Sequence, residues 1–233
     1  MSHEITLSGR DLKREFGSGA NKVQALAGIS IELRQGEMTL LKGPSGSGKS
    51  SLLAALSGLT QPSEGDVIAL GENIWRLSKW ERTRFRRQHC GFVFQAVGLF
   101  PALSAEQQIM LILEYSGVKA SEARERARTL LDEVGLAGRY HSKPNTMSGG
   151  ENQRVAIARM LAKRPSLIFC DEPTSALDKQ SGAIVAGLLK KAANMGGATV
   201  FCVTHDDRLT PYADRIIEIE DGQLVSDTDK EAA

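Results

Sequence analysis

The stretch Gly43-Pro44-Ser45-Gly46-Ser47-Gly48-Lys49-Ser50 constrains this chain more than any other. It satisfies the pattern GxxxxGK[ST] in full. The apolar run Met38 to Lys42 precedes it, and a stripe of Leu52, Leu53 and Leu56 follows. That context predicts a buried strand, a tight loop and a helix. Glycines let backbone N–H groups curl around a phosphate without Cβ clashes. The following helix adds its positive dipole end and free N–H groups. Lys49 supplies a mobile cation for the β- and γ-phosphates, and the Ser50 hydroxyl is suited to ligate Mg²⁺. Gly43, Pro44, Ser45, Gly46, Ser47, Gly48, Lys49, Ser50 and Ser51 are therefore the candidate phosphate-binding residues.

Three further strands are legible. Ile29, Ile31 and Leu33 alternate with polar residues and end at Gln35-Gly36. Leu167 to Cys170 is an apolar run stopped by Asp171-Glu172, and Val200 to Val203 is stopped by Thr204-His205. Short apolar runs separated by helical patterns predict parallel strands buried on both faces. Ligands in such a sheet bind outside the C-terminal strand ends. Asp171 is placed there to support Mg²⁺, and Glu172 to polarise a water as general base. Helical patterns cover 121–135, 151–162 and Ser181 to Met195. From about 96 to 146 the pattern is mostly helical and shows no strand, which reads as a helical insertion in an α/β domain.

Composition narrows the class. The chain has 233 residues, with Lys+Arg 29 and Asp+Glu 28, for a net charge of +1. A dedicated nucleic-acid binder is usually strongly basic, so none is expected as a partner. Cys90, Cys170 and Cys202 show no CxxC spacing, which argues against a disulfide framework or zinc site and fits a reducing compartment. No run approaches the roughly 18–20 apolar residues of a spanning helix, and the start MSHEITLSGRDLKREF lacks a signal-peptide core. The chain is expected not to cross a membrane itself, although it can sit on a protein that does.

Many enzymes share the phosphate loop. The discriminating segment is Met147-Ser148-Gly149-Gly150-Glu151-Asn152-Gln153-Arg154. It resembles the signature of the ATP-binding-cassette (ABC) ATPases, usually written LSGGQ. The resemblance implies an α/β P-loop NTPase core with a parallel sheet, an antiparallel β subdomain on the N-terminal side and a helical signature subdomain. It implies one cassette over 1–233, with 1–95 and 163–233 as the nucleotide-binding core and about 96–162 as the helical part. It also implies ATP as substrate, with Mg²⁺, and a head-to-tail homodimer. In that dimer Ser148, Gly149, Gly150 and Glu151 of one copy cover the γ-phosphate held by the other. Phe16 looks like the aromatic that stacks on adenine. Gln95 resembles the glutamine that senses Mg²⁺ and the attacking water. Asp178, in Ser175-Ala176-Leu177-Asp178, resembles the loop crossing the dimer interface, and His205 the switch histidine at the γ-phosphate. Glu172, His205, Lys49 and Gln95 are then the catalytic candidates, and Ser50, Gln95 and Asp171 the metal candidates.

Several details depart from the pattern. Met147 stands for Leu, a volume-conserving change that still packs. Glu151 stands for Gln, and Ser148-x-x-Glu151 fits a capping box, so Glu151 is read as a structural cap in preference to a changed catalytic group. Residues 77–95 and Tyr212 to Ile217 resemble the group serving lipoprotein release, macrolide efflux and related envelope export. Asp178-Lys179-Gln180-Ser181-Gly182 agrees instead with its heterocyst-glycolipid-export subgroup. Arg82, Arg84, Arg86 and Arg87 near Trp75 and Trp80 read as a solvated helix opened by the box Ser78-x-x-Glu81, with a lipid or permease face as the alternative. Val97 to Pro101 falls where relatives receive a separate transmembrane permease. The expected role is a transporter ATPase at the cytoplasmic face of the cell membrane, held there by its permease. The alternative is a non-transport ABC ATPase for mechanotransmission, DNA or ribosomes. Under a hundred residues separate Ser50 from Met147, too few for the long coiled coil of chromosome-maintenance relatives.

Overall fold

A computed structural model describes residues 4–17 and 22–229. The first and last few residues of the 1–233 cassette reading, and Met1 to His3 of the start, lie outside them. The strands are β1 (Ile5–Phe16), β2 (Val23–Arg34), β3 (Met38–Lys42), β4 (Glu64–Ala69), β5 (Glu72–Asn73), β6 (Cys90–Val93), β7 (Leu167–Asp171), β8 (Thr199–Val203), β9 (Arg215–Glu220) and β10 (Gln223–Asp229). The helices are α1 (Lys49–Leu56), α2 (Lys79–His89), α3 (Ala105–Tyr115), α4 (Ala120–Glu133), α5 (Gly149–Leu161) and α6 (Lys179–Asn194).

Two sheets form. The smaller runs β2-β1-β4-β5 and is antiparallel throughout; the larger runs β10-β9-β3-β8-β7-β6 and is parallel except where β10 folds back on β9. The period of two along a strand divides its side chains between two cores. Leu41, Phe169, Phe201 and Val203 point to one side, where Leu52, Leu53 and Leu56 of α1 join them to the antiparallel sheet. Leu40, Ile168, Cys170, Val200 and Cys202 point to the other, onto Ile157 of α5 and Val185 and Leu189 of α6. A third core joins α3, α4 and α5 through Ile109, Leu113, Ala127, Leu131, Val155 and Ala158.

β1 escaped the sequence pattern. Its register slips between Gly9 and Leu12, and Asp11 sits at φ +48, so the bulge breaks the alternation that a strand normally shows. The helices match the expected patterns with small shifts at their starts. α6 begins at Lys179 because Asp178 caps it, accepting from Ser181 N at 3.0 Å. Gly135, at φ +71, follows α4.

The arginines of α2 serve the fold. Ser78 and Glu81 form the expected capping box. The Arg82 guanidinium lies 4.6 Å over Trp75 and donates to Leu77 O at 3.2 Å, and Arg86 donates to Gly58 O at 2.6 Å. Arg87 donates to the Tyr115 hydroxyl at 3.0 Å, leaving Arg84 over the exposed Trp80 ring. No helix among the described residues is long and apolar enough to cross a membrane.

Candidate functional site

β3, β7 and β8 end side by side, and their C-terminal ends open on a cleft of about 520 Å³. Its walls bring together Gly43, Ser45, Gly46, Gly48, Lys49, Ser50 and Ser51 of the loop, Gln95 after β6, Asp171 and Glu172 after β7, and His205 after β8. A groove of about 530 Å³ lies at the other end of the strands, against Pro165, Ile168 and Ala198, and holds none of these groups.

The loop geometry explains its glycines. Gly48 sits at φ +104, where an added Cβ would lie 2.2 Å from Ala25 O. Gly46, at φ +82, has no atom within 4 Å of an added Cβ, so its backbone faces open space. Lys49 folds back over the loop and donates to Gly43 O at 2.9 Å and Pro44 O at 2.6 Å. That holds its ammonium at the loop. α1 starts with no side-chain cap, which leaves its first N–H groups to an anion. The Ser47 hydroxyl is buried with no partner among the described residues. These features fit a polyphosphate.

The donor set beside the loop fits a hard divalent cation. Ser50 Oγ donates to Asp171 Oδ2 at 3.3 Å. Burial pushes the Asp171 carboxyl up, with Glu172 adding to it, while Ser50 and Lys49 pull it down. A serine oxygen and a carboxylate suit Mg²⁺ whose other ligands are phosphate oxygens and waters. No group of three or more His, Cys, Asp or Glu that could hold a metal exists among the described residues.

Glu172 occupies φ +52, a sparsely populated backbone region that persists only when the surroundings over-determine it. Its N–H donates to Val203 O at 2.9 Å, and its carbonyl accepts from the Ser175 hydroxyl at 3.1 Å. The carboxylate accepts from Thr204 Oγ1 and from His205 N, both at 3.2 Å, and lies 2.7 Å from His205 Nδ1. Glu172 is thus held in the cleft while its partner His205 stays 76% exposed on its side chain. A carboxylate so placed can accept a proton from a water above the loop.

Phe16 ends β1 half-exposed, with the Arg14 guanidinium 4.8 Å from its ring. It lines a smaller hollow with Ser50 and Ser51, which also line the cleft, so an apolar face adjoins the phosphate loop.

The remaining predicted residues lie elsewhere. Ser148 caps α5, accepting from Glu151 N at 3.1 Å, while Glu151 Oε2 accepts from Ser148 N at 2.8 Å. Both halves of the expected capping box are present, and Arg139 pairs with Glu151 at 3.2 Å. Met147 packs on the helical core. An added Cβ on Gly149 would meet nothing within 4 Å, so the start of α5 is open. Neither Ser148 to Glu151 nor Asp178 lines the cleft.

Sequence reasoning missed a second tier of residues. Thr204 holds Glu172; Thr174, Asp206 and Arg208 knit the segments after β7 and β8 together. Arg159 of α5 donates to Gly98 O at 2.9 Å and Val97 O at 3.2 Å, fixing the segment after Gln95. Three of these bonds join side chains far apart in the sequence or two residues apart, and the two from Arg159 run to backbone carbonyls, which no side-chain motif announces. The only available signal was Asp206-x-Arg208 directly after His205.

The fold and cleft together define a phosphate-loop nucleotide hydrolase. The family model for the ABC transporter matches residues 26–175. The chain is 40% identical over 220 residues to HrtA of Staphylococcus haemolyticus, a protein named for hemin import, covering 94% of this chain and 99% of that one. It is 43% identical to a macrolide export ATP-binding/permease protein MacB of Aeromonas hydrophila, covering 97% of this chain but 35% of MacB. It therefore spans about a third of that relative's length. A dimeric ATP-binding cassette solved in a post-hydrolysis state with ADP and Pi superposes with a TM-score of 0.91 at 35% identity, covering 97% of this chain and 100% of that one. The chain belongs to the ABC transporter family and is an ATP-binding, ATP-hydrolysing component of it.

Proposed function

We propose that two copies of this chain sandwich two ATP molecules and drive a separate membrane permease that exports, or releases from the envelope, a lipophilic or peptide-like substrate. One observation carries the dimer. Lys49, Ser50, Gln95, Asp171, Glu172 and His205 share one cleft, whereas the signature segment, Ser148 to Glu151 at the start of α5, lies outside it. A single copy leaves that segment without a nucleotide, and a head-to-tail pair supplies one to each. The dimeric cassette structures among the neighbours support the same arrangement.

Within the sandwich, Phe16 stacks on the base. The loop N–H groups and Lys49 hold the phosphates and stabilise the charge that develops on them. Ser50 and Asp171, with Gln95 beside them, would hold Mg²⁺, which would supply positive charge to neutralise the phosphates. Glu172 takes the proton of the attacking water, and His205 contacts the γ-phosphate. Asp178 carries the loop that crosses to the partner copy.

Export is supported by the MacB relative and by a pyoverdine export ATP-binding/permease protein of Pseudomonas aeruginosa, 41% identical. The reading docks the permease near Val97 to Pro101, and the 53% exposure of Phe100 supports it. The complex then sits at the cytoplasmic face of the cell membrane. Glu172→Gln tests this reading. It is expected to cut turnover by about 10²–10⁴-fold and to trap an ATP-dependent dimer on size exclusion. A variant that binds ATP yet stays monomeric and hydrolyses at the parent rate refutes it.

A further inference from the structure

We infer that Arg208 is a positioning residue that ties the segment 174–178 to the catalytic Glu172, and that Gly182 exists to make room for it. The guanidinium uses its whole planar fork. Nε donates to Asp206 Oδ1 at 2.8 Å and Oδ2 at 2.9 Å; Nη1 donates to Leu177 O at 3.0 Å; Nη2 donates to Thr174 O at 3.0 Å. Thr174 Oγ1 closes the ring by donating to Asp206 Oδ2 at 2.6 Å. Asp206 N then donates to Thr204 Oγ1 at 3.0 Å, and Thr204 Oγ1 donates to Glu172 Oε2 at 3.2 Å. An unbroken chain of hydrogen bonds thus runs from Leu177, next to Asp178, to the carboxylate of Glu172.

The network is held firmly. Burial alone would raise the Asp206 carboxyl; Arg208 and Thr174 outweigh it and hold it at about 2. Asp206 is thus charged at neutral pH and keeps a counter-charge against the fork.

Gly182 supplies the independent observation. It lies in the first turns of α6, where glycine is a poor helix residue. An added Cβ would lie 3.3 Å from Arg208 Nη1 and 3.5 Å from Cζ. Alanine there pushes on the guanidinium itself. The poor helix former is explained by what sits over it.

The segment also reaches the start of α5. An added Cβ on Gly150 would lie 3.3 Å from Leu177 Cδ2. The residue that Arg208 grips by its carbonyl therefore touches the signature with its side chain. Resting on the proposed sandwich, the clamp lets the crossing loop of a closed dimer set the position of Glu172 in its own cleft.

Arg208→Ala, Arg208→Lys, Gly182→Ala and Arg208→Ala/Gly182→Ala, made in the full chain, test this. Arg208→Ala is expected to lower kcat at least tenfold, with KM for ATP within threefold. Lys carries no fork to span both carbonyls and is expected not to restore turnover. Gly182→Ala is expected to lower kcat while the melting temperature holds or rises, and to add nothing once Arg208 is gone. Turnover of Arg208→Ala within twofold of the parent overturns the inference, as does a Gly182→Ala loss that persists in full in the double variant. Should Arg208→Ala melt below the assay temperature, Gly182→Ala decides alone: unchanged turnover overturns the clamp. A Glu172→Gln chain that never dimerises with ATP overturns the sandwich instead, and leaves the kcat effects of the clamp standing.

Discussion

Glu151→Gln isolates what a carboxylate at the signature contributes. The glutamine oxygen still accepts from Ser148 N, so the bond that Glu151 makes at 2.8 Å survives. Two charge effects are lost. The ion pair to Arg139, whose side chain is 53% exposed, is worth about 0–1 kcal/mol. The negative charge at the N-terminus of α5 is worth about 0.3–1 kcal/mol. The net destabilisation is about 1 kcal/mol, or about 2–4 °C in melting temperature for a chain of this size. The effect has a pH signature. The Ser148 N–H holds the Glu151 carboxyl below its ordinary value, burial opposes it, and Arg139 helps it. A depressed carboxyl contributes stability that is complete above the unfolded value of about 4.3 and is lost as pH falls through the folded value. The two proteins should therefore converge in melting temperature as the pH drops below about 4. Turnover at neutral pH is expected to stay within a few-fold. A hundredfold drop in kcat, about 2.7 kcal/mol in the barrier, with an unchanged melt would refute the structural role and make Glu151 part of the chemistry.

Two further perturbations separate surface from core. Phe100→Asp is expected to abolish co-purification with the permease while ATP binding and the melt are retained; Leu99→Asp, which packs on the helical core, should cost stability first. If Phe100→Asp unfolds the protein, the exposed face was misjudged. Arg215→Met removes a side chain 8% exposed that pairs with Asp227 at 2.6 Å, lies 3.7 Å from the equally buried Glu37, and donates to Glu32 O at 2.7 Å. It leaves Glu37 without that cation, and urea unfolding should show a loss of about 3 kcal/mol. A loss under about 1 kcal/mol would mean that water or the neighbouring Arg34 replaces the guanidinium.

What the sequence disclosed follows from where the chemistry is written. Residues 43–50 carry their function in side-chain type and spacing, so loop, strand and helix were all legible. β7 and β8 were legible because burial on both faces leaves an unbroken apolar run. β1 was not, because the slip near Asp11 destroys its period. The basic stretch of α2 was ambiguous in sequence, since arginines bonded to Leu77 O and Gly58 O are spelled like arginines facing a ligand. Arg208 was only half legible for the same reason: Asp206 two residues before it is spelled in the sequence, but its bonds to Leu177 O and Thr174 O are to carbonyls, and every residue has one.

α5 belongs to two cores at once. Ile157 and Met160 pack with the parallel sheet, while Val155 and Ala158 pack with α3 and α4. Its 13 residues span about 20 Å. Such a helix behaves as an axle. The layer of α3 and α4 cannot shear away from the sheet without turning the axle or stripping one of its bearings. Arg159 of the same helix donates to Gly98 O and Val97 O, so a displacement of α5 would carry the segment leading to Phe100 with it.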